Sequence, residues 1–86
     1  MFVHIGNNII LKQEDIIGIY NIKAIKNTNE YIKIINNLKE NNKLIKIENT
    51  EENTLIITEK NKIIKGYITN ISSVTIEKRL KNTIFN

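Results

Sequence analysis

Apolar side chains recur along this chain in two rhythms, and the switches between them mark out its elements. Phe2-Val3-His4-Ile5 reads as a short first strand. Gly6-Asn7-Asn8 follows as a tight turn, because glycine and asparagine tolerate the positive φ that hairpin turns require. Ile9-Ile10-Leu11 gives a second short strand, and Lys12-Gln13-Glu14-Asp15 a polar connection. Residues 16–22 make a longer strand, with Ile17, Ile19 and Asn21 on one face and Ile16, Tyr20 and Ile22 nearer the other. Two largely apolar faces predict a central place in the sheet.

The rhythm then changes to that of a helix. Asn27 is placed to cap it, with Glu30 three residues on reaching back in a capping box. Tyr31, Ile34, Ile35 and Leu38 fall on one face as an apolar stripe, and Asn41-Asn42 suits a C-terminal cap. Residues 44–47 alternate like a half-buried strand, 48–53 form a polar loop, and 55–58 form another strand. Residues 59–62 read as a hairpin turn into a strand reaching Ile68. Ser72 or Ser73 caps a final helix carrying Ile76 and Leu80 four residues apart, with Lys78, Arg79 and Lys81 in its last turns, where positive charge suits the helix dipole. Residues 82–86 read as a frayed tail, from which Phe85 could dock on a partner. The order β-β-β-α-β-β-β-α predicts an α+β fold, a small, mostly antiparallel sheet of short strands with two helices, in a single domain over 1–86.

Composition narrows what this domain does. With 86 residues its core is thin, and self-association is a common remedy. No cysteine is present, which removes disulfides and thiolate metal sites. The opening lacks the basic and apolar regions of a signal peptide, and aliphatic runs such as Ile9-Ile10-Leu11 are far too short to span a bilayer, so a cytoplasmic protein is predicted. The net charge of +4 draws a domain toward nucleic acid and anionic surfaces. About a quarter of the residues are isoleucine, and Asn and Lys are also abundant. These three share A- and T-rich codons, which discounts the lysine excess as a signal.

Little in the chain promises catalysis. The one histidine, His4, cannot build a metal site alone and fits an edge or interface position. The adjacent carboxylates Glu14-Asp15 and Glu51-Glu52 lack the hydrophobic frame that raises a catalytic pKa. Gly6-Asn7-Asn8 lacks the spacing and following helix of a phosphate loop, and Ser72 and Ser73 read as caps. No enzyme activity, cofactor, metal or small-molecule substrate is expected. Tyr31 lies on the helical core stripe, which leaves Tyr67 beside Gly66 as the exposed aromatic for stacking a base. The basic candidates are Lys43 and Lys46 at one strand, Lys60, Lys62 and Lys65 flanking a hairpin, and Lys78, Arg79 and Lys81 on the last helix. A solvated lysine-rich face is the plain alternative.

Two stretches carry a resemblance. Phe2-Val3-His4-Ile5-Gly6-Asn7-Asn8-Ile9-Ile10, followed by Asp15-Ile16-Ile17-Gly18-Ile19, resembles the opening of the bacterial Rem family, the extracellular-matrix regulatory proteins RemA and RemB, in its RemB-like form. Tyr67-Ile68-Thr69-Asn70-Ile71-Ser72-Ser73-Val74-Thr75-Ile76-Glu77-Lys78-Arg79 resembles that subfamily's closing motif. The resemblance runs from Phe2 to about Leu80 and implies a cytoplasmic regulator of biofilm-matrix genes that binds DNA as a ring-like homo-oligomer. It implies an oligomer interface around Phe2, His4, Ile5 and Gly6. At the positions where DNA-binding relatives carry arginines, this chain carries Asp15, Glu51 and Glu52. Two readings therefore stay open. One is a DNA-binding regulator using Lys43, Lys46, Lys62, Lys65, Lys78 and Arg79 on phosphate. The other is an oligomeric scaffold or interaction module of the same fold that does not bind DNA.

Overall fold

The strand that can bury both of its faces takes the centre of the sheet. The structure, a computed structural model, describes residues 1–47 and 51–84, with the backbone alone over 81–84. In it the central strand is β5 (Thr54–Lys60), whose Thr54, Leu55, Ile56, Ile57 and Thr58 are all buried. On one side β5 pairs antiparallel with β3 (Ile16–Asn21), and on the other with β6 (Ile63–Thr69). β4 (Leu44–Lys46) closes the sheet by pairing parallel to β6, giving the order β3-β5-β6-β4. β1 (Phe2–His4) and β2 (Ile10–Lys12) form a separate antiparallel hairpin.

The period of two sorts the sheet's side chains into two cores. Leu55 lies opposite Ile68 and Ile57 opposite Gly66. This face packs with Ile22, Tyr31, Ile35 and Leu38, the latter three from α2 (Asn29–Glu40). Ile56, on the other face, packs with Val3, Ile5 and Leu11 of the β1–β2 hairpin, with Ile47 just after β4, and with Ile76 of α3 (Ser73–Ile84). The result is three layers, an α+β fold with mostly antiparallel strands. Buried threonines tie the hairpin and α3 layer to the sheet. Thr69 Oγ1 donates to Ile5 O at 2.8 Å and accepts from Ile71 N at 3.1 Å, and Thr54 Oγ1 donates to Ile71 O at 2.6 Å.

Several elements differ from the sequence reading. β3 is an edge strand, not a central one. A register shift between Ile16 and Gly18 turns Ile17 outward, and Tyr20 is also exposed, so this strand's apolar residues do not signal two buried faces. Ile22 opens a short helix, α1 (Ile22–Ile25), because Asn21 Oδ1 accepts from Lys23 N at 3.1 Å and stops the strand. Thr28, not Asn27, caps α2: its hydroxyl accepts from Tyr31 N at 3.2 Å and donates to Ile25 O at 2.7 Å. Glu30 therefore sits in the first turn without a capping box. Of the predicted stripe, Tyr31, Ile35 and Leu38 are buried, while Ile34 is 44% exposed.

At the α2 C-terminus the expected asparagine cap is present. Asn42 takes φ 56°, Asn42 N donates to Lys39 O and Lys43 N to Leu38 O, the paired bonds of a Schellman motif. The β5–β6 turn is tighter than predicted, with Asn61 and Lys62 alone between the strands at φ 53° and 67°. Ser72 rather than Ser73 caps α3, its Oγ accepting from Thr75 N at 3.2 Å. The helix continues through Asn82, Thr83 and Ile84, where the sequence predicts a tail, and Phe85 lies outside the described residues, as do residues 48–50 of the predicted loop. Among the described residues no helix is long and apolar enough to cross a membrane.

Candidate nucleic-acid interface

The basic residues singled out from the sequence divide among different faces of the fold. Lys43, set by the Schellman turn, and Lys62, set by the β5–β6 turn, line an open apolar groove between α2 and that hairpin, together with Lys33. Lys65 lines a hollow on the opposite face with Lys12, Lys60 and Asp15. Lys46 lies beneath the other flank of α2, where its Nζ meets Glu52 Oε2 at 2.9 Å. Lys78 and Arg79 stand on α3, and Arg79 Nη1 donates to His4 O at 2.7 Å, bracing the β1–β2 hairpin against that helix.

One element does gather positive charge. The end of the β5–β6 hairpin presents Lys60, Lys62 and Lys65, all exposed and none in an ion pair among the described residues. Lys62 stands in the two-residue turn, Lys60 ends β5, and Lys65 lies on β6 opposite Thr58; the hairpin's own carboxylate is Glu59 on β5. Lys33 and Lys12, which the sequence reading passes over, join these neighbourhoods only through the tertiary fold.

The carboxylates Asp15, Glu51 and Glu52 do not converge within the protomer. Asp15 ends a 3-10 turn (Gln13–Asp15) and lines the hollow on the hairpin face, while Glu52 lines the hollow under α2. Glu51 Oε2 lies 3.5 Å from Lys23 Nζ. The fields of Glu52 and Asp15 are felt by the tyrosines. Burial pushes the Tyr31 phenol up from its ordinary value, with Glu52 adding to it, and burial pushes up Tyr67, with Asp15 adding. Tyr67 is thus half-buried against the hairpin-side core, not the exposed stacking residue the sequence suggests. Tyr31 is buried as expected, and among the described residues the exposed aromatics are Phe2 and Tyr20. Among the described residues no cluster of three or more His, Asp or Glu is grouped to hold a metal ion.

The residues expected at an oligomer interface have divided roles. Register places Phe2 opposite Lys12 and His4 opposite Ile10, so these four share the outward face of the hairpin, and Phe2 and Ile10 are 63% and 58% exposed. Ile5 is 0% exposed: its side chain fills the protomer's own core and offers no side-chain surface to a partner. Gly6, at φ 108°, makes the turn that brings Ile5 N to Ile9 O at 3.0 Å.

No curated protein matches the chain. A family model does, that of the RemA-like, extracellular matrix regulatory protein A-like proteins, over residues 2–80. The match is to the family as a whole, and the RemB-like character of the terminal motifs stays a resemblance. Since the match takes in every strand and all but the last residues of α3, the chain belongs to the RemA-like family of extracellular matrix regulatory proteins.

Proposed function

We propose that this protein regulates extracellular-matrix genes of biofilms from the cytoplasm, as a ring-like homo-oligomer that holds duplex DNA by its phosphates. The observation that carries this reading is the β5–β6 hairpin end, with Lys60, Lys62 and Lys65 exposed and outside any ion pair among the described residues. Lysine supplies point charges to phosphate and carries no sequence code, so these contacts position the protein on the duplex. Assembly repeats the hairpin end in each copy and multiplies its charge. Self-association is supported by the outward apolar face of Phe2 and Ile10 and by the exposed Ile17. In this reading Lys46 makes no phosphate contact, because Glu52 already neutralises it. The domain performs no catalytic step and needs no cofactor.

A second reading, an oligomeric scaffold without DNA affinity, is favoured by the pairs Glu51–Lys23 and Glu52–Lys46, in which carboxylates neutralise two of the lysines that phosphate would need. Light scattering for the assembled mass, followed by a fluorescence titration of a labelled duplex, separates the two. The DNA reading predicts an oligomer whose duplex affinity drops at least about tenfold, about 1.4 kcal/mol, in a Lys60→Glu, Lys65→Glu variant of unchanged mass. The scaffold reading predicts the same mass with no duplex affinity at moderate salt.

A further inference from the structure

α2 leaves part of its sheet face open. Its Leu38 sits so close over Gly66 that a Cβ added there would lie 2.6 Å from Leu38 Cδ1. Toward the hairpin end on this same face, Ile64 is 47% exposed, with no helix over it. Tyr20 from the edge strand and Ile34 from α2 form the walls, at 43% and 44% exposure, around a groove of about 690 Å³ floored by Ile57. Lys33, Lys43 and Lys62 rim it, and among the described residues no carboxylate lines it. The nearest acidic residue along the strand is Glu59, opposite Ile64 and outside the lining.

We propose that this groove docks an acidic amphipathic helix from a different protein, its apolar side chains on Tyr20, Ile34 and Ile64 and its carboxylates on Lys33, Lys43 and Lys62. An apolar trough rimmed by cations selects such a helix in the helix-in-groove mode, with anchors at i, i+3, i+4 and i+7. Phosphate backbone is a poor occupant, because its charge would lie over isoleucines. A second copy of the chain lacks the matching element. α2 balances Glu30 and Glu40 against Lys33 and Lys39, and α3 sets Glu77 against Lys78, Arg79 and Lys81. Neither helix is acidic, and the chain as a whole is +4. The groove shares Lys62 with the hairpin end, but Lys33, Lys43, Ile34 and Tyr20 lie off it, so the test alters those positions and leaves Lys62 in place.

The probe is a labelled synthetic helix of about 18 residues with leucines at the four anchor positions and glutamates beside them. Its partner probe has every glutamate replaced by lysine. Fluorescence anisotropy with the full chain is expected to show the acidic peptide binding at least about tenfold tighter than the basic one, and weakening with salt. Lys33→Glu with Lys43→Glu, and separately Ile34→Asp, should each weaken the acidic peptide by about tenfold or more. Lys33 and Ile34 are exposed and Lys43 is partly exposed at the groove rim, so circular dichroism should report an intact fold. Equal binding of the two peptides, or variants that bind like the parent, overturns the proposal. A change of assembled mass in Ile34→Asp with peptide affinity unaltered would assign the groove to contacts between copies. Loss of duplex binding in the lysine variant with peptide affinity unaltered would assign it to DNA. Either outcome overturns the proposal, while leaving the test of the hairpin end independent.

Discussion

Thr69→Val removes one hydroxyl that ties the outer hairpin to the sheet. That hydroxyl donates to Ile5 O at 2.8 Å and accepts from Ile71 N at 3.1 Å, and Thr69 and Ile5 are 1% and 0% exposed. Valine matches threonine in shape, so no cavity opens, but Ile5 loses its acceptor's partner where water cannot replace it. An orphaned buried polar group costs about 1–3 kcal/mol. The half-buried Ile71 N–H adds toward the lower end of that range, and the extra methyl returns up to about 0.8 kcal/mol. The net loss is about 2–3 kcal/mol, a large part of the roughly 5–15 kcal/mol that holds a domain together. For a chain of this size that lowers Tm by about 10–20 °C. Urea and thermal unfolding by circular dichroism, at one fixed protomer concentration so that assembly does not confuse the comparison, would measure it. Thr69→Ser is the control: it keeps both hydrogen bonds and gives up a methyl, for about 1 kcal/mol. Valine should be the worse substitution, and Val3 and Leu11 amides should exchange faster in it. A Val variant within about 0.5 kcal/mol of the parent, or less damaging than Ser, would refute the reasoning.

Lys62→Gly should stabilise the fold by about 0.5–1 kcal/mol in urea unfolding, because φ 67° suits glycine better than lysine and outweighs the added freedom of the unfolded chain. Gly66→Ala should destabilise by about 1–3 kcal/mol in the same assay, since its Cβ meets Leu38 Cδ1 at 2.6 Å and Leu44 Cδ1 at 3.3 Å in a packed layer. Stability should also fall in alkali. Tyr31 and Tyr67 have phenols raised above the ordinary 10.0, so their contribution is complete below the unfolded phenol's pKa and is lost as pH rises through the folded one. The urea midpoint should drop as pH rises above the ordinary phenol range, and Tyr31→Phe should lessen that drop.

The elements whose signals are local were readable from the residues. The stripe Tyr31, Ile35 and Leu38, the asparagine stop at Asn42 and the turn Gly6-Asn7-Asn8 each depend on neighbours a few residues away, and each is present. The place of β3 was not readable, because an apolar residue on a strand signals burial only if another strand covers it, and the shift at Ile17 and the lack of a neighbour beyond β3 are tertiary facts. The same holds for Ile34, whose spacing fits the stripe but which overhangs the sheet. The cap moved from Asn27 to Thr28 because α1 ends at Ile25 and leaves its carbonyl for the Thr28 hydroxyl. For the candidate site, the lysines at 60, 62 and 65 announced themselves by spacing along one hairpin. Lys46 did not reveal its pairing with Glu52, nor Arg79 its bond to His4 O, across 75 residues.

The central claim is that lysines at the β5–β6 hairpin end bind duplex phosphate, and the salt dependence of duplex affinity tests it most directly. Each phosphate neutralised steepens the fall of log K with log salt by about 0.9, so Lys60, Lys62 and Lys65 predict a slope of about 2 to 3 for each engaged protomer, reduced by about one in a Lys65→Gln variant. A flat dependence, or a slope that Lys65→Gln leaves as it was, would contradict the account.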